Sequence, residues 1–402
     1  MRVLIVNTSE QTGGAAIAAS RLCNALNDYG IKAKMMVRNK QTGRITVVKA
    51  PGGRIPFLYE RSTILLRNGL SKRNLWQVDI ANCGTDITQT KEFREADVIH
   101  LHWVNQGFLS LGQIEKILRS GKRVVWTMHD MWPVTSICHH SGECERFHTH
   151  CHDCPLLRFP GAKDLSYKVF ERKLRMLEGT RVTFVGCSEW ITERARHSAL
   201  AQGQQVVRIV NPINTRVFHP CGKLDARKAL GLPENGRLIM FGSLKVTDKN
   251  KGIDYLVEAC KQLPHDIGIV CVGKNVDQLA PMFQHRIYPV SYVSDERTMA
   301  LLYSAVDAFV TPSLFENLPN TIAEAMSCGT PCVGFRVGGI PEMICHQQNG
   351  YVAIYKDASD LACGIQYVLE HPELGNQAQH DAARLFSAEQ VCAQYEKVYE
   401  GK

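Results

Sequence analysis

The sequence predicts an α/β protein made of two doubly wound, Rossmann-like domains. Three observations predict it. Short apolar runs alternate with segments of helical period along both halves of the chain, the pattern of repeated strand–helix units on parallel sheets. The chain begins with an apolar run, Val3 to Asn7, that passes through a loop ending in Gly13-Gly14 into a helical segment, Ala15 to Tyr29. Far downstream, a second apolar run, Ala305 to Val310, enters a proline-rich loop and then another helical segment closed by Cys328-Gly329.

Composition bounds the class. With 402 residues, 45% hydrophobic and 21% charged, the chain has the make-up of a globular protein of two or three domains. No apolar run approaches the roughly 20 residues needed to cross a bilayer. The opening M-R-V-L-I-V-N-T reads as a strand and not as a signal peptide, so a cytoplasmic location is expected. The 15 cysteines are then mostly reduced, and Cys187, Cys271, Cys328 and Cys332, set in apolar runs, read as small core residues. The net charge of +8 is unevenly spread. Residues 1–217 hold 31 Lys and Arg against 18 Asp and Glu, and the remainder holds 16 against 21. Such a basic half suits an anionic partner. Nucleic acid and an anionic membrane surface both fit that charge, and no zinc finger, RNA-recognition or helix-turn-helix pattern favours nucleic acid.

In chain order, Ile31 to Val37 is a second strand. Residues 51–75 interleave Arg54, Arg61, Arg67, Lys72 and Arg73 with Phe57, Leu58, Ile64, Leu65, Leu66 and Trp76. This segment reads either as a basic amphipathic helix on a membrane or as a solvated helix packed on the sheet. Asp97 to Trp103 and Arg123 to Met128 are strands, and His100, His102 and His129 fall near their carboxyl ends, where open α/β sheets bind ligands. His100 reads as structural and His129 as functional, with Asp130 beside it either an orienting acceptor or an acceptor-site residue. Val182 to Cys187 is a strand, followed by a helix from Ser188 as N-cap to His197. Val206 to Val210 leads into N-P-I-N-T-R-V-F-H-P, where a domain boundary near Val217 is expected. The second sheet starts with Arg237 to Phe241, and Lys251-Gly252 opens the next helix. Ile267 to Gly273, His285 to Val290 and Pro331 to Gly334 are further strands, and Ala388 to Tyr399 is an amphipathic terminal helix.

The most informative stretch is T-P-S-L-F-E-N-L-P-N-T-I-A-E-A-M-S-C-G-T-P, Thr311 to Pro331. Asn320 or Thr321 is the expected N-cap of its helix. A helix N-terminus suits a phosphate, and the carboxylates of Glu316 and Glu324, eight positions apart, accept hydrogen bonds from sugar or ribose hydroxyls. The ammonium of Lys251 can neutralise a diphosphate. The chain has no G-x-G-x-x-G after a strand, so a dinucleotide cofactor is not indicated.

This stretch resembles the E-x7-E signature of the retaining family 4 glycosyltransferases. The resemblance implies the GT-B architecture: a domain over 1–217 on the acceptor side, a nucleotide-sugar-binding domain over 218–385, an interdomain cleft, and a terminal segment, 386–402, that crosses back to the first domain. It places the Gly13-Gly14 loop near donor phosphate and acceptor, and His129 against the donor sugar. Glu324 would hold the ribose. Glu316 would hold the sugar hydroxyls, and Lys251 with the backbone of Asn317, Leu318, Asn320 and Thr321 would hold the diphosphate. Many family members pair the lysine with an arginine nearer the strand, and here Ser243 stands at that place. No catalytic metal is expected, since cation and helix end take that part.

Between the domains' motifs lies C-H-H-S-G-E-C-E-R-F-H-T-H-C-H-D-C-P. Cys138, Cys144, Cys151 and Cys154 within an insertion over 138–154 suggest a structural zinc, with His139, His140, His148, His150 and His152 as substitutes for one thiolate. The run H-D-M-W-P with these cysteines also looks like a subset of bacterial polysaccharide glycosyltransferases.

The expectation is therefore a retaining hexosyltransferase, using a UDP- or GDP-linked sugar and a glycan or lipid-linked oligosaccharide acceptor in surface polysaccharide synthesis. The alternatives are a non-catalytic sugar-nucleotide or polysaccharide-binding protein, and an epimerase- or phosphorylase-like enzyme of the same architecture.

Overall fold

The computed structural model describes all residues from Met1 to Lys402. It divides into two compact units, Met1–Asn211 with Glu389–Lys402, and Pro212–Ala388.

The first unit holds a seven-stranded sheet. Its strands are β1 (Arg2–Ser9), β2 (Lys32–Asn39), β3 (Val47–Lys49), β4 (Val98–Leu101), β5 (Arg123–Met128), β6 (Thr183–Gly186) and β7 (Gln205–Arg208). The order is β3-β2-β1-β4-β5-β6-β7, parallel throughout. Parallel strands need crossovers, and helices cover both faces, so the central strands are apolar and buried nearly end to end. Trp126 stacks on Phe184 with ring centroids 6.0 Å apart, both out of solvent. Burying side chains of this size contributes roughly 2–3 kcal/mol each.

The second unit holds a six-stranded parallel sheet: β8 (Leu238–Lys245), β9 (Gly268–Lys274), β10 (Ile287–Val290), β11 (Ala308–Thr311), β12 (Cys332–Phe335) and β13 (Gly350–Ala353), in the order β10-β9-β8-β11-β12-β13. Cys260 and Cys271 fill its core beside Phe241 and Val310, and Cys332 is buried as well. Burial pushes the thiols of Cys260 and Cys271 up to about 12, so they act as small apolar groups.

Each sheet reverses its winding once, between β1 and β4 in the first unit and between β8 and β11 in the second. Crevices at the carboxyl ends of strands beside such reversals are where open α/β sheets take ligands. The Gly13-Gly14 loop follows β1, His102 follows β4, Lys251 follows β8 and Glu316 follows β11.

The terminal helix Ala388–Glu400 delivers Tyr395 and Tyr399 to the first unit. The Tyr395 hydroxyl lies 2.9 Å from Thr127 Oγ1, and the Tyr399 hydroxyl lies 2.8 Å from His100 Nδ1. Both phenols are buried, which raises them well above the usual tyrosine range.

Several local expectations need correction. Ala305 ends the preceding helix, Glu296–Ala305, and does not start β11. The helix Asn320–Ser327 begins directly after Pro319, which stands at the N-cap and has no side-chain oxygen to offer; neither Asn320 nor Thr321 caps it. Of residues 51–75, only Ile55–Arg67 is a continuous helix, and it is inverted relative to an ordinary amphipathic one. Glu60 and Arg61 are buried, while Ile55, Leu58, Tyr59 and Leu66 are exposed. Arg61 pairs with Asp79 and donates to the carbonyls of Leu75 and Val78, so it is an interior residue and no part of a solvent-facing basic stripe.

Candidate active site

In the second unit the site is built by two loops that interlock. The chain leaves β8, makes a 3-10 turn at Lys249–Lys251 and enters the helix Ile253–Cys260 through Gly252, whose φ of 73° places it in the left-handed region. A side chain at position 252 would overlap the carbonyl of Pro312, just after β11. The Leu314 amide donates to the Asn250 carbonyl at 2.8 Å, which ties the two loops together. Lys251 and Glu316 meet there in an ion pair, the ammonium on a carboxylate oxygen. Burial works against the Lys251 charge, but Glu316 and then Asp248 outweigh it and hold the ammonium above its usual range. A third segment closes the loop from the other side. Gly338, at φ 56°, sits against the Glu316 carbonyl, and the Gly339 amide donates to the Asn317 carbonyl at 2.7 Å.

Glu324, in the helix Asn320–Ser327, is buried and accepts from the Tyr303 hydroxyl at 2.8 Å. Tyr303 is fully buried in the helix Glu296–Ala305, and its ring meets Phe309 of β11 edge-on at 5.4 Å. Asn317 and Leu318 are buried, Asn320 and Thr321 half-buried. Ser243, on β8, has a buried hydroxyl with no hydrogen-bond partner. The structure therefore brings Lys251 and Glu316 into contact and seats Glu324 on Tyr303. Tyr303 is the residue that sequence reading missed. It lies 21 positions before its partner on a different helix, and no local pattern links the two.

In the first unit, Gly13 has φ 91° and precedes the helix Gly14–Asp28, with no side-chain cap. The turn before it is pinned by Glu10, which is buried and accepts from the amides of Gln41 at 2.6 Å and Thr42 at 2.9 Å, and from the Thr42 hydroxyl. Burial alone would raise the Glu10 carboxyl, but the Thr42 and Gln41 hydrogen bonds leave it lowered.

His129 follows β5 and sits 2.8 Å, Nε2 to Nδ1, from His102. Burial holds His129 down at about 4, although Asp130 pulls the other way. His100, between Tyr399 and Thr127, is held by burial at about 3 and is structural. Asp130 has a positioning role within the protein. One oxygen accepts from Trp103 Nε1 at 2.7 Å and faces His139 Nδ1 at 2.7 Å; the other accepts from the Trp132 amide at 2.9 Å. Burial would raise it, but His139 beside it brings it down to about 2.

His139 bridges Asp130 and Asp79, each at 2.7 Å, so it is committed to carboxylates and is not a substitute metal ligand. His150 is likewise bound to Glu171, and His152 to Asp153. The thiols of Cys138, Cys144, Cys151 and Cys154 lie in one electrostatic neighbourhood. No three metal-capable side chains converge there into a metal-holding group, so the geometry does not carry the expected zinc. Burial pushes the thiols of Cys151 and Cys154 up to about 12. Beside them Lys173 is wholly buried, donates to the carbonyls of Trp132 and Thr135, and lies 3.4 Å from the Trp132 ring centre.

The chain is similar to known proteins in sequence and in fold. Residues 235–371 match the family model described as glycosyl transferases group 1. The N-acetyl-alpha-D-glucosaminyl L-malate synthase of Bacillus anthracis is 25% identical over 214 residues, 50% of this chain and 55% of that protein. The chain thus spans about half the length of that relative. The D-inositol 3-phosphate glycosyltransferase 2 of Catenulispora acidiphila is 26% identical over 401 residues, 92% of this chain and 86% of the relative. Among solved structures, Anabaena Alr3699/HepE in complex with UDP-glucose superposes with a TM-score of 0.68 at 16% identity, covering 100% of both chains. At that identity the likeness speaks for the fold alone: two Rossmann-like units of the GT-B class.

Proposed function

We propose that this chain, whose residues 235–371 match the family model described as glycosyl transferases group 1, moves a hexose-type sugar with retention from a UDP- or GDP-linked donor to a glycan or lipid-linked oligosaccharide acceptor. The observation that carries the reading is the ion pair of Lys251 and Glu316 at the carboxyl edge beside the switch between β8 and β11. A nucleotide sugar presents a diphosphate and neutral hydroxyls side by side, and this edge presents a cation and carboxylates side by side. In the proposal Glu324, aimed by Tyr303, takes the ribose hydroxyls. Glu316 takes sugar hydroxyls. Lys251 and the start of the helix Asn320–Ser327, with Asn317, Leu318 and Thr321, take the diphosphate. As the bond from the anomeric carbon to the diphosphate lengthens, negative charge grows on phosphate oxygen and positive charge on the sugar. Lys251 meets the first and Glu316 the second. His129 and the Gly13-Gly14 turn serve the donor from the first unit's switch point. UDP-glucose in Alr3699/HepE supports a nucleotide-sugar donor.

The same proposal includes peripheral contact with an anionic membrane through the first unit. Its support is the inverted helix Ile55–Arg67. Exposed Ile55, Leu58, Tyr59, Leu66, Leu70 and Trp76 stand among exposed Arg54, Arg67, Lys72 and Arg73. No helix is long and apolar enough to cross a membrane.

The test is a panel of UDP- and GDP-sugars, first by thermal stabilisation and then by transfer to glycan acceptors. Stabilisation by one donor, with product bearing the retained anomer, supports the reading. Donor binding without transfer to any acceptor would favour a sugar-nucleotide-binding protein. For the membrane part, sedimentation with phosphatidylglycerol vesicles that survives Leu58→Asp with Leu66→Asp would remove that helix from the contact.

A further inference from the structure

Three imidazoles line up where β4 and β5 end. The His100 and His102 rings are 4.3 Å apart, and the His102 and His129 rings are 5.1 Å apart and nearly parallel. His102 is 97% buried, with 3% of its surface exposed. Its Nδ1 lies 2.8 Å from His129 Nε2, and its own Nε2 is buried with no hydrogen-bond partner. His100 imposes no constraint on this pair. Its nitrogens face the hydroxyls of Tyr399 and Thr127, which can donate or accept alike.

One hydrogen must lie between His102 and His129, and only two neutral arrangements provide it. If His129 Nε2 carries the hydrogen, His102 must accept at Nδ1. A neutral His102 then bears its own hydrogen on Nε2, a buried N–H with nothing to receive it. If His102 Nδ1 carries the hydrogen, its Nε2 is a bare lone pair. An orphaned buried N–H is the rarer and costlier defect, since it loses water without any acceptor in return. The second arrangement therefore holds. It makes His129 Nε2 an acceptor and leaves the hydrogen of the neutral ring on Nδ1.

We propose that His102 is a positioning residue that fixes His129 as a hydrogen-bond donor through Nδ1. Burial, and then the neighbouring His100 and His129 rings, keep His102 far below the usual histidine range, so the arrangement persists at neutral pH. The consequence for the chemistry rests on the reading that His129 touches the donor sugar. His129 then presents an N–H to a sugar hydroxyl oxygen and does not take a proton from it. His102 governs this without reaching the substrate.

The test reads the hydrogens directly. Two-bond nitrogen–proton correlation spectra of the full 15N-labelled chain at pH 7, assigned with His102→Phe and His129→Phe, report the tautomer of each ring. The expected result is the Nδ1–H form for both His102 and His129. A hydrogen on Nε2 of His129 overturns the proposal. Kinetics supply the second arm. His102→Phe is expected to lower kcat about tenfold, the worth of one such hydrogen bond, with little change in donor KM. His102→Asn sets an amide nitrogen where Nδ1 was and is expected to recover most of the loss. A His102→Asn no better than His102→Phe, or a folded His102→Phe at parental kcat, overturns the positioning role. His129→Ala at parental kcat, while the parent shows both rings in the Nδ1–H form, sinks instead the reading that His129 meets the donor, and leaves the hydrogen assignment standing.

Discussion

Lys251 and Glu316, 65 positions apart in sequence, form an ion pair where the turn after β8 meets the loop after β11. Their side chains are 35% and 15% exposed, so the pair is partly screened by water. Its weight lies more in placement than in stability. Lys251→Ala and Glu316→Gln are each expected to lower sugar transfer on the order of a hundredfold, the usual loss for one charge contact at developing charge. Unfolding free energy should fall by about 1 kcal/mol or less. The pH dependence follows from the raised Lys251 ammonium. The pair's contribution is present in full below the unfolded value near 10.5 and fades as the pH climbs through the higher folded value. A double-mutant cycle at pH 8 and again at pH 11 checks this, with the coupling expected to shrink at the higher pH. Near-parental transfer by both variants would remove these residues from the chemistry.

The contact between Tyr303 and Glu324 makes a separate prediction. The phenol lies 2.8 Å from a buried carboxylate, so Tyr303→Phe strips a charge-assisted hydrogen bond and leaves no room for a replacement. The cost should be about 1–3 kcal/mol in denaturant unfolding. If Glu324 holds the donor's ribose, donor KM should rise more than kcat falls. An unchanged KM would confine Tyr303 to a structural part.

Lys173 predicts a pH effect of the opposite sign to Lys251. Burial presses its ammonium from 10.5 down to about 7, in spite of Cys138 and Cys151 nearby. Between those values the unfolded chain holds a proton that the folded chain lacks, so this group makes stability rise with pH. Below about 7 both states are protonated and the rise stops. The buried thiols confuse the picture above about 9, where Cys138 and Cys151 would ionise in the unfolded chain but stay protonated in the folded one. The clean window is pH 7 to 9. Urea unfolding across it should show stability increasing in the parent and a flatter profile in Lys173→Met. An equal slope in both would show that Lys173 keeps its charge in the fold.

Much of the architecture can be read in the sequence because parallel strands in a covered sheet are apolar throughout. Val3 to Asn7, Arg123 to Met128 and Ile267 to Gly273 announce themselves as runs, and the glycine turns mark where the helices begin. The rule that ligands sit at carboxyl ends then picks out the loops bearing His129, Lys251 and Glu316. What the sequence hides is pairing over distance. Arg61 reads as part of a basic solvent face because a periodicity argument assumes charges point outward. The structure turns it inward to meet Asp79, which is brought alongside by the fold. His139 looks like a zinc ligand among cysteines until Asp79 and Asp130 close on its two nitrogens. The short strands β3 and β13 carry too little local signal to stand out from their flanks.

Gly338 supplies the last prediction, because it acts on Glu316 without touching its side chain. The residue holds φ 56°, a conformation strained for any residue with a Cβ, and its α-carbon lies against the Glu316 carbonyl. Gly338→Ala must either push that carbonyl away or rotate the turn, and the neighbouring bond from the Gly339 amide to the Asn317 carbonyl resists both. The backbone strain should cost about 1–3 kcal/mol. The loop after β11 would shift, and with it the carboxylate that meets Lys251. Transfer should therefore drop well beyond what the lost stability explains at a temperature where the variant is fully folded. Gly30→Ala serves as the control. Gly30 also has positive φ, at 86°, but an added Cβ there meets nothing within 4 Å. It should lose comparable stability from the backbone alone and keep its activity. If Gly338→Ala is as active as Gly30→Ala, the turn at 338 does not set the position of Glu316.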